Sequence, residues 1–379
     1  MTVVRPAYGT GSLAEILPSA LAAVGGPLLP DQPDPLGLRA ALAEPRRVAV
    51  LLVDGLGWHQ LPVAFPFAPT LKSLDGRPLT AGFPSTTPTS LVTLGTGVPP
   101  GAHGVVGFFL NIPGTDRVLS HIRWDADPDP VEWQPVDPVF VRAASAGVEA
   151  TVVSRPEFEG SGLSVAAYRG AAFRGATGPD EVASAVLSAL YSAPRSLVYA
   201  YHGDVDRTGH DYGIDSPQWR EAVAGVDRMV RMIAEGLPSD AALLVTADHG
   251  RLNIAADRHI DMADDPRLRA AMAVVAAEQR VRYLHTVRGA APDVLAAWRT
   301  VLGPAAWVGS REEAAGAGWY GRVSFDALAR IGDVVAICRD DHVVLATGLE
   351  PAPIARMVAF HGSYTAAEME IPLLVVRGG

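Results

Sequence analysis

The chain has 379 residues, 49% hydrophobic and 19% charged, with a formal net charge of −10 at pH 7. That length fits a large core with an accessory domain or one very large α/β unit, and nothing in the composition indicates disorder. The acidic balance argues against a nucleic-acid-binding surface, which needs a basic stripe against phosphates. The single cysteine, Cys338, rules out an internal disulfide and a thiolate metal cluster, and its apolar surroundings predict a buried small side chain.

Residues 1–46 read as a proline-rich lead-in around one helix, with a loop at 29–35. The stretch lacks a basic start, a continuous apolar core and a cleavage site, and Leu13–Val24 is short and interrupted by Pro18. The expectation is a cytoplasmic protein without a membrane span. Arg47–Val53 is a continuous run of β-formers ending in Asp54-Gly55, as suits a central parallel strand buried on both faces. Further strands are predicted at Val148–Val153, Ser196–Tyr201, Ala241–Thr246 and Ile371–Val376, and helices at Asp180–Tyr191 and Trp219–Glu235. This alternation predicts an α/β fold, a doubly wound, mostly parallel sheet with helices on both faces. Between about Ala263 and Glu350 the texture changes to a small α+β pattern: a strand at Arg280–Leu284, a helix at Ala291–Leu302, and a hairpin with arms Asp333–Cys338 and Val343–Thr347. Residues 1–262 and 351–379 therefore read as the core and 263–350 as an inserted cap that supplies a substrate-facing wall.

Acids and imidazoles crowd the predicted strand ends. Asp54 follows one strand; Tyr201-His202-Gly-Asp204-Val-Asp206-Arg-Thr-Gly-His210-Asp211 follows a second; Asp248-His249 follows a third. Strand carboxyl ends are where open α/β sheets meet ligands, although a capping aspartate or a satisfied turn is the ordinary alternative at each place. The spacing of Asp206 and His210 lets both meet one cation, on a helical turn or in a loop tightened by Gly209. His361 adds another imidazole before the last strand.

The segment Phe83-Pro-Ser-Thr-Thr87-Pro88-Thr-Ser90 starts a further helix. Proline is favoured in a first turn, which makes Thr87 the expected N-cap at the positive end of the helix dipole, a good place for a phosphate. An alcohol is a poor nucleophile until a cation lowers its pKa. Carboxylate, imidazole and hydroxyl donors from five regions are enough for two divalent ions, zinc by ligand type and manganese second.

In this order, VAVLLVDGLG, FPSTTPTSLVTLGTGVPPGAHGVVG, DVDRTGHDYG, TADHG and HGS, the sequence resembles the alkaline phosphatase superfamily, most closely its type I phosphodiesterase/nucleotide pyrophosphatase branch. The resemblance implies a two-metal hydrolase of phosphate esters, with a small phosphate ester or nucleotide as substrate. It further implies Thr87 as nucleophile through a covalent phosphothreonine. One ion would be held by Asp54, Thr87, Asp248 and His249, the other by Asp206, His210 and His361. The positions of Gly97 and His103-Gly104 relative to Thr87 favour that register over Thr86. Where the branch often carries Phe-Pro-Asn after the threonine, this chain has Pro88-Thr89-Ser90, which leaves Ser90 as the candidate hydrogen-bond donor to a phosphoryl oxygen. Tyr201 and His202 are expected to line the pocket, His103 to be structural, Asp204 and Asp211 to stand outside the ligand set, and Arg207 to contact phosphate or balance acids. A phosphomonoesterase, a phosphonate hydrolase or a phosphomutase-type transferase of the same superfamily stand as alternatives.

Overall fold

The computed structural model describes residues 2–27 and 34–379. Most of the expected loop at 29–35 lies outside the described residues. In chain order the strands of the two principal sheets are β1 (Arg47–Val53), β2 (Asp75–Thr80), β3 (Glu149–Ser154), β4 (Ala172–Gly175), β5 (Ser196–His202), β6 (Ala241–Thr246), β7 (Met272–Glu278), β8 (Val281–Thr286), β9 (Ala306–Ser310), β10 (Val334–Cys338) and β11 (Glu370–Arg377). The large sheet has the order β2-β11-β6-β1-β5-β3-β4. Strands β6, β1, β5, β3 and β4 run parallel, whereas β11 is antiparallel to both β6 and β2.

The uninterrupted apolar sequence of β1 has a direct structural cause. Val48, Val50 and Leu52 face a core shared with the helices Ile16–Ala23, Thr87–Thr96 and Val139–Ser145. Ala49, Leu51 and Val53 face a second core under the helices Pro179–Tyr191 and Pro217–Glu235. Each buried aliphatic contributes roughly 1.5–3 kcal/mol, so both faces of the strand must be apolar. The register then aligns the strand ends: Val53 pairs with His202 and Leu52 with Thr246. Asp54, the segment from Gly203 and the segment from Ala247 leave the sheet side by side, at the edge where α/β sheets place ligands.

Residues 263–350 build an antiparallel sheet in the order β7-β8-β10-β9. The helix Ala291–Leu302 packs Trp298 and Val294 into that sheet's own core, which includes the buried Cys338. The expected hairpin does not form: β10 pairs with β8 and β9, while Val343–Leu345 pairs in parallel with His259–Asp261. Both runs are fully buried; β10 takes a neighbour on each side, and in the turn after it Arg280 Nη2 donates to the Asp340 carbonyl at 2.8 Å. The same guanidinium grips buried Glu368 in a two-pronged ion pair, Nε to Oε1 at 2.9 Å and Nη2 to Oε2 at 2.7 Å, which fastens the inserted sheet to the chain just before β11. Among the described residues, no helix is long and apolar enough to cross a membrane.

Candidate active site

Backbone geometry brings five separate segments to one place. Gly55, at φ 73°, turns the chain out of β1 so that its own N–H donates to Asp248 Oδ1 at 3.0 Å. Asp206 and His210 lie one turn apart on the helix Asp204–Tyr212, their side chains 3.4 Å from each other. Thr87 is the first residue of the helix Thr87–Thr96 rather than its N-cap. Thr86 holds the cap position, extended at φ −137° and ψ 148°, with its carbonyl accepting from Ser90 N at 2.9 Å. Pro88, lacking an N–H, therefore stands second in the helix, where its missing donor is still harmless.

Two groups of cation donors result. Asp54, Asp248 and His249 converge in one. There Nε2 of His249 lies 3.6 Å from Asp54 Oδ1 and 3.3 Å from Asp248 Oδ2. Thr87 Oγ1 sits 3.4 Å from Asp54 Oδ2 and 3.2 Å from His249 Nε2. Asp206 and His361 form the core of the other, with His210 Nε2 at 3.1 Å from His361 Nε2. His249 is close enough to count with this second group as well, because its ring stacks on His361 at 3.6 Å between centroids.

The imidazole tautomers follow from their backbone partners. Nδ1 of His210 faces the Ala359 carbonyl at 2.7 Å, that of His361 the Ser85 carbonyl at 2.9 Å, and that of His249 the Gly250 carbonyl at 3.2 Å. A carbonyl only accepts, so each Nδ1 carries the proton and each Nε2 turns a lone pair inward. This backing is the arrangement that orients metal-ligating histidines. The inward oxygens Asp54 Oδ1 and Asp248 Oδ2 are buried without hydrogen-bond partners among the described residues, while Asp206 Oδ1 meets the Arg251 guanidinium. A buried acceptor left unpaired is costly, and a divalent cation satisfies both at once. The residues present thus fit the metal ions that the sequence implies.

Charge crowding is visible in the titration behaviour. Burial, reinforced by neighbouring Asp248, pushes the Asp54 carboxyl up to about 7, and burial raises Asp248 to about 6. Burial lowers His210, His249 and His361, the last also because the other two imidazoles surround it. All three are neutral lone-pair donors at neutral pH.

The site opens into a cavity of about 830 Å³. Asp54, Thr87, Asp206, His210 and His361 line its polar end, and Phe108, Phe109, Ile122, Phe158, Leu163 and Met357 much of the rest. Tyr201 and His202 both line it, as expected. The Tyr201 hydroxyl donates to Asp54 Oδ2 at 2.5 Å, and burial keeps the phenol protonated. His202, the last residue of β5, is buried with Nε2 3.5 Å from Asp204. Arg207 pairs with Asp204 at 3.0 Å on the rim, which accounts for its charge as an acid-balancing partner. Ser90 is the expectation the structure overturns: its hydroxyl is buried and donates to the Asp248 carbonyl at 2.8 Å, away from the cavity. It stands one helical turn beyond Thr87, where the nearest acceptor is the backbone of the β6 loop. His103 bonds Thr93 Oγ1 at 2.9 Å and the Val105 amide at 3.1 Å, a buried structural histidine. Of residues 263–350, only Glu278 and Gln279 reach the cavity, so its walls come mainly from the core.

The family model described as type I phosphodiesterase/nucleotide pyrophosphatase matches residues 48–364. The chain belongs to this family. Sequence relatives include an uncharacterised pyrophosphatase/phosphodiesterase of Schizosaccharomyces pombe, 28% identical over 54% of this chain and 44% of that protein. Another is ectonucleotide pyrophosphatase/phosphodiesterase family member 7 of Mus musculus, 26% identical over 55% of this chain and 51% of that protein. The chain thus spans about half the length of these curated relatives. Among solved structures, murine ectonucleotide pyrophosphatase/phosphodiesterase 5 superposes with a TM-score of 0.70 at 19% identity, covering 88% of each chain. Phosphonoacetate hydrolase from Sinorhizobium meliloti 1021 does so with a TM-score of 0.68 at 19% identity, over 88% of this chain and 91% of that one. At these identities the superpositions establish a shared fold.

Within this site, sequence reasoning overlooked two buried charged residues. Glu278, at the end of β7, accepts from the Phe108 amide at 2.9 Å and is raised to about 8 by burial. Arg251, two positions after His249, has a fully buried side chain in contact with Asp206. A basic residue so close to the Asp-His pair was a visible signal; its direction was not.

Proposed function

We propose that this chain hydrolyses phosphodiesters, with nucleotide-type compounds as the leading substrate class, through a covalent phosphothreonine on Thr87. The observation that carries the reading is the position of Thr87 Oγ1, 3.4 Å from Asp54 and 3.2 Å from His249 on the floor of the cavity, at the start of a buried helix. Two divalent cations, zinc by its suitability for carboxylate and imidazole donors, supply when bound the positive charge that acidifies the threonine hydroxyl and neutralises phosphoryl oxygens. Asp54, Asp248 and His249 would hold one and Asp206, His210 and His361 the other.

The chain's own groups then divide the work. Thr87 Oγ attacks phosphorus as its proton leaves to water; the P–O bond to the leaving alcohol breaks, and that alkoxide takes a proton from solvent. Water next attacks the phosphothreonine, and the Thr87 oxygen leaves and is reprotonated. The first-turn amides of the Thr87–Thr96 helix carry partial positive charge toward the phosphoryl group. Tyr201 holds Asp54 in place and, as a neutral phenol, adds no negative charge near the anionic substrate. An inactive form of murine member 5, bearing a threonine-to-alanine substitution, is described in complex with AMP, which supports both a nucleotide-type ligand and a threonine nucleophile.

A diester is favoured over a monoester because the two arginines at the cavity, Arg155 and Arg207, are already paired with Glu157 and Asp204. A doubly charged terminal phosphate needs a cation of its own. Zinc-loaded protein assayed on a chromogenic diester and its monoester should prefer the diester, and Thr87→Ala should remove that activity while zinc binding persists. Full diesterase activity in Thr87→Ala would rule out the nucleophile; preference for the monoester would move the assignment to phosphomonoesters.

A further inference from the structure

Arg251 is a buried cation beside the site that the proposed chemistry does not use. Its side chain is fully buried and absent from the cavity wall, so it touches no substrate. Nη1 donates to the Asp206 carbonyl at 2.6 Å, and Nη2 is in ion-pair contact with Asp206 Oδ1. The chain clears space for this guanidinium on two elements. A Cβ at Gly55, already at φ 73°, would lie 2.8 Å from Nη2, and one at Gly209 would collide with Nη1. Gln60 fixes the backbone from behind, its Nε2 donating to the Arg251 carbonyl at 2.8 Å.

Asp206 is thus shared. One oxygen meets the arginine; the other lies 3.4 Å from His210 Nε2. Among the described residues, Asp54 and Asp248 have no cationic side chain in ion-pair contact other than the His249 imidazole, itself a donor to the same group, although the charge of Arg251 reaches Asp54 from beyond contact. The two cation groups are therefore unequal. The first offers two carboxylates and an imidazole; the second offers two neutral imidazoles and one carboxylate that a permanent cation has partly neutralised. Like charges repel strongly where water is excluded, so Arg251 opposes a second divalent ion more directly than the first.

We infer that Arg251 is a built-in counter-ion that sets the two metal sites apart in affinity, so that the Asp54/Asp248/His249 site fills first and the Asp206/His210/His361 site only at higher metal concentration. In this role Arg251 is a positioning residue acting through Asp206. The inference rests on the two-cation reading above.

The test is a calorimetric zinc titration of metal-stripped protein, with no substrate present. The wild type should show two binding steps whose dissociation constants differ by at least tenfold, and His210→Ala should abolish the weaker one. Arg251→Met, close in volume and uncharged, should narrow the gap by tightening the weaker step, while Arg251→Lys should retain it. Two equal steps in the wild type would overturn the inference and leave the two-cation reading standing; this arm needs no variant to fold. A gap unchanged or widened in folded Arg251→Met would overturn it too. The absence of any zinc binding would sink both.

Discussion

His210 and His361 point their Nε2 atoms at each other across 3.1 Å, and neither has a proton to place between them. Both Nδ1 atoms are committed to carbonyls, of Ala359 and Ser85. Two facing lone pairs repel, and a cation bound beside them relieves that repulsion. Zinc should accordingly stabilise the fold. At a free zinc concentration a hundredfold above its dissociation constant the gain is about 2.7 kcal/mol, which for a chain of 379 residues corresponds to an upward Tm shift of roughly 3–4 °C. Thermal melts with chelator and then with restored zinc measure it. An unchanged melting curve would show that these histidines are not ligands.

The acids predict an opposite pH dependence for the stripped and loaded protein. Asp54 is raised to about 7 and Asp248 to about 6 from an ordinary 3.8. The folded state therefore binds protons that the unfolded state releases above pH 4. Their contribution is fully present below that point and is lost as pH rises through 6 and 7. Below the ordinary imidazole value of 6.5 the lowered His210, His249 and His361 work in the opposite sense. The acids' loss should therefore show as a falling Tm of chelated protein between pH 6.5 and 8, whereas zinc-loaded protein, whose donors bind metal only when deprotonated, should gain affinity over the same range. A chelated protein that grew more stable across that window would contradict the assignment.

Tyr201→Phe removes one hydroxyl, the donor to Asp54 Oδ2 at 2.5 Å. The ring stays, so the cavity keeps its shape. Groups that orient a metal-binding carboxylate are typically worth 10- to 100-fold in affinity or activity. The expected result is a loss of that size in zinc affinity at the Asp54 site and in diesterase kcat. Unchanged values for both would reduce Tyr201 to a wall residue.

Ser90→Ala separates structure from substrate binding. The hydroxyl donates to the buried Asp248 carbonyl, and its loss should cost about 1–3 kcal/mol by leaving that acceptor unpaired. Urea melts give the number. KM for a diester should stay within about twofold, because Ser90 does not reach the cavity. A large rise in KM with stability intact would restore the role its sequence position suggested.

How much of this was legible in the sequence depended on range. Asp54, Asp206, His210, Asp248 and His249 follow strands whose apolar runs are unambiguous, and adjacent parallel strands in register necessarily deliver their ends together. The β1 and β6 boundaries, Arg47–Val53 and Ala241–Thr246, are those the sequence predicts. The reversed insertion of β11 between β2 and β6 left no local trace. The apolar runs 333–338 and 343–347 look like two hairpin arms, because pairing partners 50 to 84 residues away compete invisibly with the near one. Arg251 escaped notice for a related reason: the glycines that make room for it, Gly55 and Gly209, stand 196 and 42 positions upstream.

The position of β11 has a consequence for how the protein comes into being. This last strand fills the gap between β2 and β6, and His361 precedes it by only nine residues. A nascent chain can assemble β1, β5 and β6 early, yet β2 has no partner in the large sheet until residues 370–377 leave the ribosome. Until then the edge of β6 is bare and the second cation group lacks one of its imidazoles. Synthesis therefore withholds the complete site until β11 has emerged, and termination before residue 370 should yield inert, edge-exposed products prone to aggregate.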